Sequence, residues 1–87
     1  MAHHKSAEKR ARQAEKRQLR NRSVLRRTRT AVRSLQEAIE SGDKGAATER
    51  LHLAERELRK AASHGVVPRR RADRSVSRLA KAVHRLS

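Results

Sequence analysis

The chain has no cysteine, which removes disulfides, thiolate zinc sites and cysteine nucleophiles and makes a reducing compartment compatible. It has no Phe, Tyr or Trp either. Proteins that read single strands stack bases on aromatic rings, so recognition here must run through phosphates and helix shape. With one Pro and three Gly, breakers of regular structure are scarce. No apolar run approaches the ~18 residues of a membrane span, and the amino terminus lacks the apolar segment of a signal peptide, so an intracellular protein is expected. Acidic residues are also few. Nine stand against 24 Lys and Arg, a formal charge of +15.

At 87 residues there is room for one domain with a thin core. Leu, Ile, Val and Phe together supply 15 of the 87 positions, under the one-fifth level below which a highly charged chain struggles to stay folded alone. The compact state repels itself until a polyanion neutralises it, and nucleic acid is the candidate polyanion.

The positions Ala7, Ala11, Ala14, Gln18, Asn21, Leu25, Thr28, Val32, Leu35 and Ile39 recur at spacings of four and three without an intervening Gly or Pro. This predicts one continuous helix over about residues 6–41. Ser6 is the candidate N-cap, with Glu8 in the first turn. From Leu25 onward the seam offers Leu, Val and Ile to a partner, whereas before it the seam offers Ala, Gln and Asn among crowded cations. The second half is therefore expected in a core and the first half as a projecting cationic rod.

Ser41-Gly42-Asp43 marks the helix end, with Gly42 in the left-handed position and Asp43 capping a second helix over about residues 44–64. That helix carries the stripe Ala47, Leu51, Ala54, Leu58, Ala61 and stops near Gly65. Pro68 suits the first position of a third helix over about residues 68–86. Its apolar positions Ala72, Val76, Leu79, Val83 and Leu86 lie opposite the basic row Arg71, Arg74, Arg78, Lys81 and Arg85. Two short connections give an all-α antiparallel three-helix bundle with a long, basic, overhanging first helix.

Charge falls in three blocks. Residues 1–30 hold eleven basic and two acidic residues, residues 31–64 six of each, and residues 65–87 seven and one. The middle is the scaffold and the two ends face the partner. In the first helix Lys5, Lys9, Arg10, Arg12, Lys16, Arg17, Arg20, Arg22, Arg26, Arg27 and Arg29 form the candidate phosphate-binding cluster. A merely solubilising surface would mix signs, whereas Arg12, Lys16 and Arg20 repel at i and i+4. In the third helix a membrane-surface reading would want aromatic anchors, which are missing. The fork of Arg, which grips a phosphate with two hydrogen bonds, favours nucleic acid.

Nothing suggests catalysis, a cofactor or a small-molecule substrate: there is no Gly-rich phosphate loop and scarcely enough core to exclude water. Glu49 and His52 have the spacing used in di-iron bundles, but such sites need two copies and the pair reads as surface. His3 and His4 read as a phosphate contact or a disordered tip rather than a metal site.

The ordered set His4-Lys5-Ser6-Ala7, Lys9-Arg10, Arg12-Gln13, Lys16-Arg17 and Arg20-Asn21 resembles the amino-terminal signature of a bacterial family, the small-subunit ribosomal proteins numbered twenty. The resemblance continues through Gly42-Asp43, Gly65-Val66-Val67, Ala72, Arg74 and Ser77-Arg78-Leu79, covering essentially the whole chain. It implies a three-helix bundle that binds small-subunit ribosomal RNA directly and early in assembly, in the cytoplasm, bridging separate RNA segments. It implies RNA contacts at Lys5, Ser6, Lys9, Arg10, Arg12, Lys16, Arg17, Arg20, Asn21, Arg74 and Arg78. Gln13 belongs to the same signature. The third helix departs from the family, with Pro68-Arg69-Arg70-Arg71-Ala72-Asp73-Arg74 in place of a His-Lys-Asn-Lys-Ala-Ala-Arg type run. Arg70 thus joins the basic row without an asparagine's specificity, and Asp73 must avoid phosphate or pair with an arginine.

The expected role is a structural component of the small ribosomal subunit acting by phosphate neutralisation and shape fit over two helical surfaces, with neighbouring ribosomal proteins as further candidate partners. The alternatives are a histone-like DNA-compacting protein, which would also bind duplex DNA, and a protein-interaction bundle, which would need a larger apolar surface.

Overall fold

The computed structural model describes residues 2–86, with side chains from residue 5 onward, so the reading of the His3 and His4 side chains falls outside the described residues. Three helices follow in order: α1 (Ala2–Ser41), α2 (Lys44–Ser63) and α3 (Arg69–His84), with no strand among the described residues. A helix of 40 residues is about 60 Å long at 1.5 Å per residue. It sets the long dimension of a molecule measuring 67 × 20 × 14 Å.

α1 begins before the expected Ser6. Nothing ahead of Ser6 interrupts the helix, and a residue with helical dihedrals cannot aim its hydroxyl at the N–H groups that a cap must satisfy. Ser6 is an exposed surface residue, and Glu8 lies beyond the first turn.

The two chain reversals follow the glycines. Gly42 has φ +76° and Gly65 φ +74°, the left-handed region where a Cβ would be strained. Each closes a helix with the same pair of bonds. The Gly42 and Asp43 N–H groups donate to the Ile39 and Ala38 carbonyls at 3.1 and 3.3 Å, and those of Gly65 and Val66 to Ala62 and Ala61 at 3.0 and 2.9 Å. Asp43 then opens α2, its Oδ1 accepting from the Ala46 N–H at 3.1 Å. Asp43→Ala is expected to cost about 0.5–2 kcal/mol. A lower urea midpoint at unchanged denaturant slope checks this, since an unchanged slope means unchanged surface exposure on unfolding.

Pro68 stands one position earlier than expected. It is the N-cap of α3, with φ −58° and ψ 139°. Its carbonyl accepts the first helical bond, from the Ala72 N–H at 3.0 Å. The extended ψ places Pro68 outside the helix, and the fixed φ stiffens the entry.

α1 and α2 run antiparallel in a register fixed by two cross-links. The Arg50 Nη1 donates to the Ser34 carbonyl at 3.0 Å. The buried Thr28 hydroxyl donates to the Val24 carbonyl at 2.8 Å, with the Glu57 carbonyl of α2 as a second acceptor at 3.3 Å. The bond within its own helix satisfies the hydroxyl and permits its burial. α3 returns along α2, where Val83 joins Ala31, Leu35, Ala38, Ala47 and Ala54 in the core while Leu79 and Leu86 pack against its edge.

The core is built mostly from small side chains: six of its ten buried apolar residues are alanine, and Leu35 is the largest side chain fully withdrawn from solvent. On α1 the deepest positions are Val24, Thr28, Ala31, Leu35 and Ala38. Leu25, Val32 and Ile39 of the expected seam are only half-buried. The buried face is thus turned from that seam toward α2, because alanines let the α2 backbone approach closely there.

Candidate nucleic-acid interface

The register of α1 against α2 decides where support for the first helix stops. Thr28 lies opposite Glu57 and Ser34 opposite Arg50, so Ser63, the last residue of α2, comes level with about residue 22 of α1 at equal rise per residue. Every described side chain from Lys5 to Arg20 is exposed, including Ala7, Ala11 and Ala14. The first half of α1 projects some 28 Å beyond the bundle at 1.5 Å per residue.

This rod is two-sided. At about 100° per residue, Lys5, Lys9, Arg10, Arg12, Lys16, Arg17 and Arg20 fall within roughly 160° of the helix circumference. Ala7, Glu8, Ala11, Ala14, Glu15 and Gln18 occupy the other side. Ser6 and Gln13, both exposed, lie within the cationic sector and can add hydroxyl and amide donors. An unsupported row of like charges raises local potential instead of stability, which suits a surface waiting for a polyanion.

Asn21 differs from its neighbours. It is half-buried where α1 meets the α2–α3 connection, beside Val66 and Leu25. Its Oδ1 is buried without a hydrogen-bond partner, as is the Glu57 Oε2. The signature residue thus sits at the root of the rod with one acceptor turned away from solvent.

Arg70, Arg71, Arg74, Arg78 and Lys81 on α3, and Arg85 at its C-cap, are all exposed, opposite the apolar stripe that meets the core. Asp73 stands off that row. It lines a groove at the α2–α3 corner with Arg59, Ser63 and Arg69, where cations flank it. Arg26, Arg27 and Arg29 are exposed on the part of α1 that packs along α2. Arg33, which block charge assigned to the neutral scaffold, is exposed with them. Its signal was spacing: four residues after Arg29 and seven after Arg26.

Among the described residues, no group of three His, Cys, Asp or Glu could hold a metal ion, and no helix is long and apolar enough to cross a membrane.

Comparison with known proteins matches residues 2–84 to the family model for Ribosomal protein S20. The chain belongs to the S20 family. It is 48% identical over 86 residues to the small ribosomal subunit protein bS20 of Syntrophobacter fumaroxidans, covering 99% of this chain and all of the relative. The bS20 of Mycolicibacterium smegmatis gives the same identity and coverage. That of Anaeromyxobacter sp. strain K is 50% identical over 82 residues, 94% of this chain and 90% of the relative. The S20 match spans all three helices, with the cationic rod and the α3 row up to Lys81. It is a family of ribosomal proteins, not of enzymes.

Proposed function

We propose that the chain is a structural component of the small ribosomal subunit, working in the cytoplasm, that binds small-subunit ribosomal RNA directly and supports its assembly. The whole chain acts as one RNA-binding domain. The observation that carries this reading is the exposure of two cationic surfaces, the unsupported rod and the outer row of α3, on a chain whose family match runs nearly end to end. Lys5, Ser6, Lys9, Arg10, Arg12, Gln13, Lys16, Arg17, Arg20 and Asn21 are the rod's contacts. Arg26, Arg27 and Arg29 continue them along α1, and Arg70, Arg71, Arg74, Arg78, Lys81 and Arg85 form the second surface. They neutralise phosphates and fit the RNA by shape, and neighbouring ribosomal proteins are further partners.

Crosslinking in cells followed by sequencing of the bound nucleic acid tests the reading directly: small-subunit ribosomal RNA should dominate. Recovery of bulk genomic DNA would favour the DNA-compacting alternative. In vitro, binding through roughly six to ten phosphates should lose about 10³–10⁵ in affinity between 50 and 200 mM salt. A flat salt dependence would point to stacking or apolar recognition, for which the chain has no aromatic side chains.

A further inference from the structure

Asp73 is the only acidic residue after Glu57, set among the seven basic residues of positions 65–87. Its side chain is exposed, and among the described residues its carboxylate forms no ion pair or hydrogen bond. It lies in a groove of about 540 Å³ between α2 and α3, lined also by Arg59, Ala62, Ser63, Arg69 and Ala72. That is room for a small planar group, not merely for a water molecule. Arg69 and Asp73 project about a third of a turn from the centre of the α3 basic row, at about 100° per residue, so the groove is a different surface from that row. Charge decides what fits it. A phosphate is repelled by the carboxylate, and a metal ion or an ammonium group is repelled by the two guanidinium groups. A neutral group that turns donors to Asp73 and acceptors to an arginine escapes both.

We infer that the α2–α3 groove takes one unpaired guanine of the bound RNA, with the Asp73 carboxylate accepting from its N1–H and N2–H and the Arg69 guanidinium donating to its O6 and N7. This rests on the RNA-binding function proposed above. Guanine alone among the four bases sets two donors side by side on one edge and two acceptors on the next. Adenine and cytosine place an acceptor nitrogen beside their amino group, and uracil flanks its one imino donor with two carbonyls, so each of them turns a lone pair on the carboxylate. Arg69 and Asp73, at i and i+4, stand about 5–6 Å apart at Cβ, so a single base reaches both. Arg59 donates to Glu55 at 2.7 Å, which engages it along α2 and leaves Asp73 unpaired. Its planar group offers the base a stacking face, as arginine does where aromatic rings are lacking. Ala62 and Ala72 are small enough to admit the ring beneath it. Arg70, next in the chain and exposed on the row, holds the phosphate of the same nucleotide. One base is read by its edges while the rest of the interface stays indifferent to sequence.

The test uses full-length protein on small-subunit ribosomal RNA, with affinity measured and the complex treated with kethoxal, which attacks N1 and N2 of unpaired guanine. Hydroxyl-radical cleavage of the same complex reports backbone contact independently of any base. Three proteins are compared: the unaltered chain, Asp73→Asn, and Glu49→Gln as a control that removes one exposed carboxylate from the outer face of α2. Circular dichroism checks that each keeps its helices. The unaltered chain and the Glu49→Gln protein should shield a guanine that the Asp73→Asn protein leaves reactive, while all three give the same backbone footprint. Affinity decides the sign. A carboxylate that only repels phosphate would, once removed, let the protein bind more tightly, whereas one that reads guanine should cost about tenfold in affinity when replaced by Asn. Tighter or unchanged binding by Asp73→Asn, or the same guanines shielded in all three complexes, overturns the inference and leaves direct RNA binding intact. If the unaltered chain leaves no footprint on the RNA by either reagent, the proposed function falls, and the guanine site falls with it.

Discussion

Replacing Leu35 by Ala is expected to unfold the free protein at ordinary temperatures. Leu35 is 0% exposed and is the largest side chain wholly inside the core. A Leu-to-Ala change at such a site costs about 2–5 kcal/mol, from lost transfer energy and from the cavity left behind. The buried neighbours Ala31, Ala38, Ala47 and Ala54 are too short to fill that space, and the larger Val32, Ile39, Leu51, Leu79 and Leu86 sit at the edge of the cluster. The loss is comparable to the whole stability of a small domain. Circular dichroism should show the cooperative thermal transition lost or moved below room temperature. Adding small-subunit ribosomal RNA at high concentration should partly restore it, since a ligand that prefers the folded state stabilises that state by mass action. A Leu35→Ala protein melting within a few degrees of the unaltered chain would mean that the core does not hold the bundle together.

Reversing the charge at Arg12, Lys16 and Arg20 is expected to do the opposite kind of damage. All three side chains are exposed on the part of α1 that no other helix covers. Substitution by Glu keeps like charges at i and i+4 but lowers the formal charge from +15 to +9, sets the carboxylates at positions 12 and 20 three residues from Lys9 and Arg17, and removes no core contact, so the thermal transition of the free protein should stay put or rise slightly. RNA affinity should collapse. Three phosphate contacts are lost and three repulsions gained, so binding should weaken by well over a hundredfold at moderate salt, with a correspondingly shallower salt slope. Measuring melting and affinity on the same preparation separates the two roles of α1. A reversal that melted the free protein and left RNA affinity intact would place the amino-terminal half in the core.

Much of the fold could be read from the chain because its punctuation is local. Gly42, Gly65 and Asp43 act through their own dihedrals and the nearest N–H groups, and each does in the structure what its position in the sequence suggests. In the stripes of α2 and α3, Leu58 and Val83 are buried and Leu51, Val76, Leu79 and Leu86 half-buried, and the alanines that share their spacing are carried to the core with them. The start of α1 was not legible, because a serine signals a cap only if the helix begins there, and the helix runs on to Ala2.

Alanine marks the boundary between what the sequence by itself determined and what tertiary structure decided. Composition alone excluded thiol chemistry and aromatic stacking, and charge together with helical periodicity determined three helices and a cationic first half. Yet Ala7, Ala11 and Ala14 look no different in sequence from Ala31 and Ala38, and the first set is exposed while the second is buried. A small side chain has too little surface to choose its own environment, so the neighbouring helix chooses for it. The antiparallel register of α2, pinned at Thr28 and Ser34, and the length of α2 together determine where the core ends and the rod begins. The same packing rotated the buried face of α1 toward Val24 and Ala31 and left Arg33 in solvent with its row. Local sequence determines which residues are helical, but which side of a helix is covered, and how far along, depends on contacts between residues distant in the chain.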